Sequence, residues 1–282
     1  MGERLLIKIT RDNLPQVKDR YPFIYLERCR LEVDDSSVKF IDINCNEASI
    51  PIATVMTVLL GPGTSITHEA VKVLSASNTT VCWTGEDSLL YYATGISPTA
   101  TTQNIRKQAE LSSDTDKRTV VARRMFKTRF PKDSVDNASI QELMGMEGKR
   151  VKKIYEEYAD KYKVGWTGRS YVPGKFQMSD MTNKILTRAN AALYALCTSA
   201  IVSMGFSPHL GFVHSGSPLP FVYDIADLYK EYLCIEFAFE MTLKLAGNYD
   251  RHVVLDSFRK RVISYGLLER FKPDIDNLFR GL

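Results

Sequence analysis

Disulfide and zinc chemistry have little to work with in this 282-residue chain. Its five cysteines, Cys29, Cys45, Cys82, Cys197 and Cys234, are odd in number and widely scattered, and none forms a Cys-x-x-Cys pair. That spacing supports neither a disulfide framework nor a zinc site. The opening residues Met1-Gly2-Glu3-Arg4 lack the charged-then-apolar pattern of a signal peptide, so a cytoplasmic protein is expected. No membrane partner is expected either, because the uncharged run from Ala189 to Phe206 is broken by Asn190, Thr198, Ser199 and Ser203 and reads as a buried helix. Internal repeats and low-complexity tracts are absent, and a net charge of +4 is too modest to indicate nucleic acid by itself.

What is present changes period once. At 44% apolar content the chain can bury a sizeable core, and its length favours more than one domain. From Phe23 to about Tyr92, short runs rich in Val, Ile, Thr and Tyr alternate with turn clusters such as Asp34-Asp35-Ser36-Ser37 and Gly61-Pro62-Gly63. One helix is expected there, after Thr67 over His68 to Leu74, ending by Asn78. Ile96 to Thr102 carries no charge and no periodicity, and from Asn104 the pattern is helical throughout. The expected fold class is α+β: a small N-terminal mainly-β domain (residues 1–96), a linker (97–103) and a larger all-α catalytic domain (104–282).

The chemistry concentrates in two places. Within the fourteen residues from His214 to Asp227, one imidazole and two carboxylates stand in otherwise apolar chain. Pro218 and Pro220 should end a loop and start a helix, on which Asp224 and Asp227 are three apart and share a face. Upstream, Ser139-Ile140-Gln141-Glu142 reads as a capping box opening a helix to about Tyr162. Stepping about 100° per residue from Ile140, Met144, Val151, Ile154 and Tyr158 form one apolar stripe, and Glu147 lands in its middle. Gly145 and Gly148 flank it at a cost of about 1 kcal/mol each in helix propensity, which suggests a close approach to the backbone there. Each residue alone has an ordinary reading: a snorkelling Glu, an acid pair favoured at a helix N-terminus, a hydrogen-bonded core His. Together they suit a divalent metal, since an unpaired buried carboxylate would protonate, find a cation or unfold the site.

These residues carry a resemblance. Gly145-Met146-Glu147-Gly148, Gly211-Phe212-Val213-His214 and Tyr223-Asp224-Ile225-Ala226-Asp227 resemble motifs of the CRISPR-associated adaptation integrases, metal-dependent endonucleases, and the stretch from Gly211 to Asp227 looks like the subtype I-E branch. Further similarity lies in Leu60-Gly61-Pro62-Gly63-Thr64, Trp83-Thr84-Gly85-Glu86, Arg124-Met125-Phe126 with Arg129-Phe130, and Trp166-x-Gly168-Arg169-x-Tyr171.

The resemblance implies a catalytic group of Glu147, His214, Asp224 and Asp227, with Glu147, His214 and Asp227 as ligands of Mg²⁺ or Mn²⁺ and Asp224 as an orienting carboxylate or proton acceptor. A hard, oxygen-rich site with one imidazole suits those ions. The implied activity is joining of the 3′-OH ends of short double-stranded DNA into a CRISPR array by transesterification, with cleavage when water attacks. Arg169, Tyr171, Tyr194, Lys230 and Arg251 match positions that contact DNA, whereas Ser65 and Leu90 stand where subtype I-E relatives carry basic residues. The implied assembly is a homodimer held largely by residues before about Ile96, two such dimers flanking a second adaptation protein (Cas-two) in a hetero-hexamer. The apolar stretches Phe23-Ile24-Tyr25-Leu26 and Ile50 to Leu60 exceed what a small one-sided sheet needs, which fits a dimer contact or a larger core equally.

Charge distribution bears on the same reading. Seven basic residues and no acid lie between Lys117 and Lys132, Lys149, Arg150, Lys152 and Lys153 follow Glu147, and Arg259-Lys260-Arg261 with Arg270 and Lys272 come later. Solvated helix faces and a phosphate-holding surface both account for such runs. A general metal-dependent nuclease and a non-catalytic assembly subunit are the competing functional readings.

Overall fold

Residues 15–34, 37–85, 91–95, 102–170 and 179–282 are described by a computed structural model, with strands in the first part of the chain and helices in the rest. This is the α+β architecture expected from the change of period. Expectations placed on residues 96–101, on Leu90 and on Tyr171 fall outside the described residues.

Among the described residues, two four-stranded sheets form. The first has the order β1 (Tyr21–Leu26), β5 (Val55–Leu60), β7 (Thr80–Thr84), β8 (Tyr91–Gly95), parallel except for β8. The second is a meander of β4 (Glu47–Ile50), β3 (Ser37–Asp42) and β2 (Cys29–Asp34), with the short β6 (Ser65–Ile66) parallel to β2. Helix α1 (His68–Ala76) is capped by the Thr67 side chain, and Asn78 beyond its end takes φ of 53°.

Strand β5 reads Val-Met-Thr-Val-Leu-Leu and is buried at every position, because both faces of its sheet are covered. Val58 and Leu60 join a cluster with Leu31, Val38 and Leu74 of the second sheet and α1. Leu59, with Phe23 of β1, joins the helical core, and the Thr57 hydroxyl meets the Ser199 hydroxyl at 2.7 Å. The surplus apolar residues of β1 and β5 are thus consumed inside one chain. They lend the dimer no support of their own.

The helices are α2 (Gln103–Ser113), α3 (Thr115–Arg129), α4 (Ile140–Tyr162), α5 (Met181–Ser203), α6 (Pro220–Asp227), α7 (Phe237–Leu245), α8 (Arg251–Tyr265) and α9 (Leu267–Leu278), with a π-helical turn over Glu231–Glu236 before α7. Ser139 and Glu142 form the expected capping box at the start of α4. Helix α5 is the axis: its most apolar window is long enough to cross a membrane, yet 89% of that window is buried inside the fold. The sheet packs on it through Ser199 and on α8 through Phe258, whose ring lies 6.3 Å from that of Phe23. The described cysteines are all free.

Candidate active site

The site is built where a loop folds back on the start of α6. At Gly211 an added Cβ would fall 2.6 Å from the Pro220 Cβ and 2.7 Å from the His214 carbonyl oxygen, so only glycine permits this approach. The fold-back lays three successive amides on Asp224: Phe212 and Val213 donate to Oδ2 at 2.6 and 3.2 Å, and His214 donates to Oδ1 at 2.9 Å. The His214 Nδ1 lies 2.8 Å from the same Oδ1. From the other side, the Arg118 guanidinium donates to the Phe212 carbonyl at 2.8 Å.

Asp224 therefore has four donors on a side chain that is 0% exposed. Those four donors occupy the lone-pair directions of both oxygens, which suits an orienting carboxylate better than a proton acceptor. A carboxylate on Nδ1 fixes the proton there and turns Nε2 outward as the free donor atom of the ring. That hydrogen bond raises the His214 pKa, against the opposing effect of burial.

Nε2 faces Asp227, whose Oδ2 is 3.8 Å away. The other oxygen, Oδ1, is held by the Lys230 ammonium at 2.6 Å. Burial would raise Asp227, but Lys230, Arg129 and His214 outweigh it and keep its pKa below the ordinary value. Burial likewise opposes charge on Lys230, yet Asp227 and Tyr194 push its pKa well above that of a free lysine.

Glu147 reaches the same place from α4. Its side chain is 18% exposed, on a stripe shared with the buried Leu143 and Ile154, although Met144 turns outward. The Arg129 Nη1 sits between the two acids, 2.5 Å from Glu147 Oε1 and 3.7 Å from Asp227 Oδ2. Among the described residues, no three His, Cys, Asp or Glu side chains close on one another as a ready ligand set. The donor chemistry nevertheless fits a hard divalent ion: two carboxylates and a correctly oriented imidazole face one space.

That space is a cavity of about 620 Å³, lined by Glu147, His214, Asp227, Lys230, Arg169 and Tyr194 among others. Arg169 is fixed by Asn183 Oδ1 and Thr187 Oγ1, each at 2.8 Å, and burial raises the Tyr194 pKa. Arg251 is elsewhere, paired with Glu27. The expected close approach at Gly145 and Gly148 is not made by this chain, since an added Cβ at either meets nothing within 4 Å.

Arg129, Asn190 and Glu231 also line the cavity and escaped the reading of helical phase, which was applied to α4 alone. On α3 the buried Ala122, Met125 and Phe126 put Arg129 on their own stripe, the same signal that marks Glu147. Asn190 Oδ1 is buried without a hydrogen-bond partner in the cavity wall.

The basic runs divide between contacts within the fold and solvent. Arg123 donates to the Ala138 carbonyl, Arg124 to those of Leu278 and Arg280, and Arg261 pairs with Glu236 and Glu240. Lys152 and Lys153, with side chains 80% and 74% exposed, remain in solvent beside the short-range partners Glu156 and Glu157.

The chain matches the family model "CRISPR associated protein Cas1" over residues 23–133 and 128–252. It is 56% identical over 275 residues to the CRISPR-associated endonuclease Cas1 2 of Chlorobaculum tepidum, covering 98% of this chain and 93% of the relative. The crystal structure of TtCas1 superposes with a TM-score of 0.81 at 34% identity, over 94% of this chain and 99% of that one. TtCas1 in a DNA complex matches with a TM-score of 0.68 at 35% identity, over 95% and 100%.

Proposed function

The chain belongs to the Cas1 family and is a CRISPR-associated endonuclease, and from that premise we propose that it joins the 3′-OH ends of short DNA duplexes into a CRISPR array at the cavity described above. The observation that carries this reading is convergence: Glu147 of α4, His214 of the fold-back loop and Asp227 of α6 face one open cavity although 80 residues of sequence separate the first from the last. Family membership brings dependence on a divalent metal, and Mg²⁺ or Mn²⁺ is the ion we assign to Glu147 Oε, His214 Nε2 and Asp227 Oδ2.

When bound, such an ion supplies Lewis-acid polarisation of the scissile phosphate and favours the deprotonated form of the attacking hydroxyl. Asp224 holds the His214 ring so that Nε2 alone faces the cavity. Lys230 holds Asp227 through one oxygen and leaves the other turned toward Arg129 and His214. Arg169 and Tyr194 stand on the wall where a phosphate or strand would pass; Tyr171, which the resemblance also assigns to DNA, falls outside the described residues, and Arg251 is assigned to DNA away from the cavity. In joining, the donor 3′-oxygen bonds to phosphorus, the target P–O3′ bond breaks, and a new target 3′-OH leaves; with water as nucleophile the same site cleaves.

DNA binding by a relative that is 35% identical, TtCas1, supports a DNA substrate. A homodimer, its docking with a second adaptation protein (Cas-two), a division near residues 97–103 and a cytoplasmic location complete the reading. A full-length chain that is monomeric by light scattering would remove the dimer. The deciding experiment is metal-dependent joining of a short 3′-OH duplex to a supercoiled plasmid, with Glu147→Gln as the comparison. Normal joining by that variant overturns the assignment, and metal-dependent cleavage without joining favours a general nuclease.

A further inference from the structure

We propose that Arg129 is a tethered cation that holds the acidic centre together in the metal-free protein and must leave it before an ion binds. The inference rests on the metal reading above. Glu147, Asp227 and His214 line one cavity. The Arg129 Nη1 stands between its two carboxylates, 2.5 Å from Glu147 Oε1 and 3.7 Å from Asp227 Oδ2, and that same Oδ2 lies 3.8 Å from His214 Nε2. Lys230 occupies only Oδ1 of Asp227, so the oxygen that Arg129 shares is the one an ion needs.

The seat is made for a guanidinium. Its central carbon lies 5.0 Å from the Phe130 ring centroid and 5.7 Å from that of Phe126, and the side chain is 11% exposed. A guanidinium has no lone pair to give a metal, so Arg129 cannot share the ion and competes with it for both carboxylates. The apparent affinity for metal is then the intrinsic affinity scaled by the fraction of molecules in which Arg129 has swung away. Without Arg129, two carboxylates from α4 and α6 would face each other in a largely buried space with Lys230 on one of them alone.

Full-length protein stripped of metal is titrated with Mn²⁺, free Mn²⁺ being read by electron paramagnetic resonance, and its melting is followed in EDTA. Arg129→Gln should tighten the apparent Mn²⁺ Kd by ~10-fold or more, while lowering the melting temperature in EDTA. Arg150→Gln serves as the charge control, since Arg150 pairs with Asp133, lies over the same Phe130 ring and does not line the cavity. A Kd in Arg129→Gln equal to or weaker than that of the parent overturns the proposal, as does equal tightening in Arg150→Gln, which would make it a field effect. If Arg129→Gln does not fold, Arg129→Met removes the charge while keeping an unbranched apolar chain beside Phe126 and Phe130, and a Kd unchanged from the parent overturns the proposal there too. Failure of the parent itself to bind Mn²⁺, with no change in Glu147→Gln, defeats the metal reading and this inference together.

Discussion

Replacing Asp224 by asparagine removes a charge and one acceptor oxygen while keeping the shape of the side chain. Asp224 accepts from the amides of Phe212, Val213 and His214 and from the His214 ring, two donors on each oxygen. Asparagine offers one oxygen, and its amide group would face the two donors on the other side. At least two buried donors lose their acceptor, at about 1–3 kcal/mol each, so the variant should lose about 2–6 kcal/mol of stability. With total stabilities of about 5–15 kcal/mol for proteins generally, that is a large fraction. The same change frees the imidazole to turn or to carry its proton on Nε2, which should weaken metal binding by about 10–100-fold. Equilibrium unfolding by urea in EDTA reads the first effect, and Mn²⁺ titration of the folded variant reads the second. An Asp224→Asn protein with the parent midpoint and slope, binding Mn²⁺ as the parent does, would show that the fold-back loop and the imidazole are organised by something else.

Three further outcomes follow from the same geometry. Glu147→Ala, His214→Ala and Asp227→Ala should each abolish metal-dependent cleavage and joining, but unequally in stability: Asp227→Ala leaves the partly buried Lys230 without its carboxylate and should cost about 3–5 kcal/mol in EDTA, while Glu147→Ala should cost less because Arg129 keeps Asp227. Equal melting of the two variants would refute that ordering. Binding to short duplex DNA should fall steeply with salt and show little base preference, as phosphate contacts dictate; salt-independent binding measured by fluorescence anisotropy counts against a phosphate-reading surface. A fragment of residues 102–282 should not fold as a soluble monomer, because it strips Phe23, Met56 and Leu59 from the helical core; a cooperative melt and a monomeric mass from light scattering would contradict this.

How much of this was legible in the sequence depends on whether the signal was local. The capping box at Ser139 and the place of Glu147 on the stripe of α4 need only the helical period, and both are observed. The pairing of Asp224 with Asp227 on one helix was equally local, but their different roles were not. Asp224 became the organiser because Gly211 lets a loop ten to thirteen residues upstream fold against Pro220, and nothing in an i, i+3 spacing says which acid that loop will reach. The partners of the basic runs were not local either. Arg123 and Arg124 look available for phosphate in sequence, yet their partners are carbonyls, one of them 15 residues away and two of them 154 and 156 residues away. Composition records donors and carries no trace of backbone acceptors left open at helix ends. A charge standing on an otherwise apolar stripe is the signal that survives this difficulty, since its burial requires a partner whatever that partner proves to be. Glu147 on α4 and Arg129 on α3 are two such charges, and they are partners of each other. One misplaced charge on each helix, of opposite sign, therefore joins α3 to α4 across the cavity.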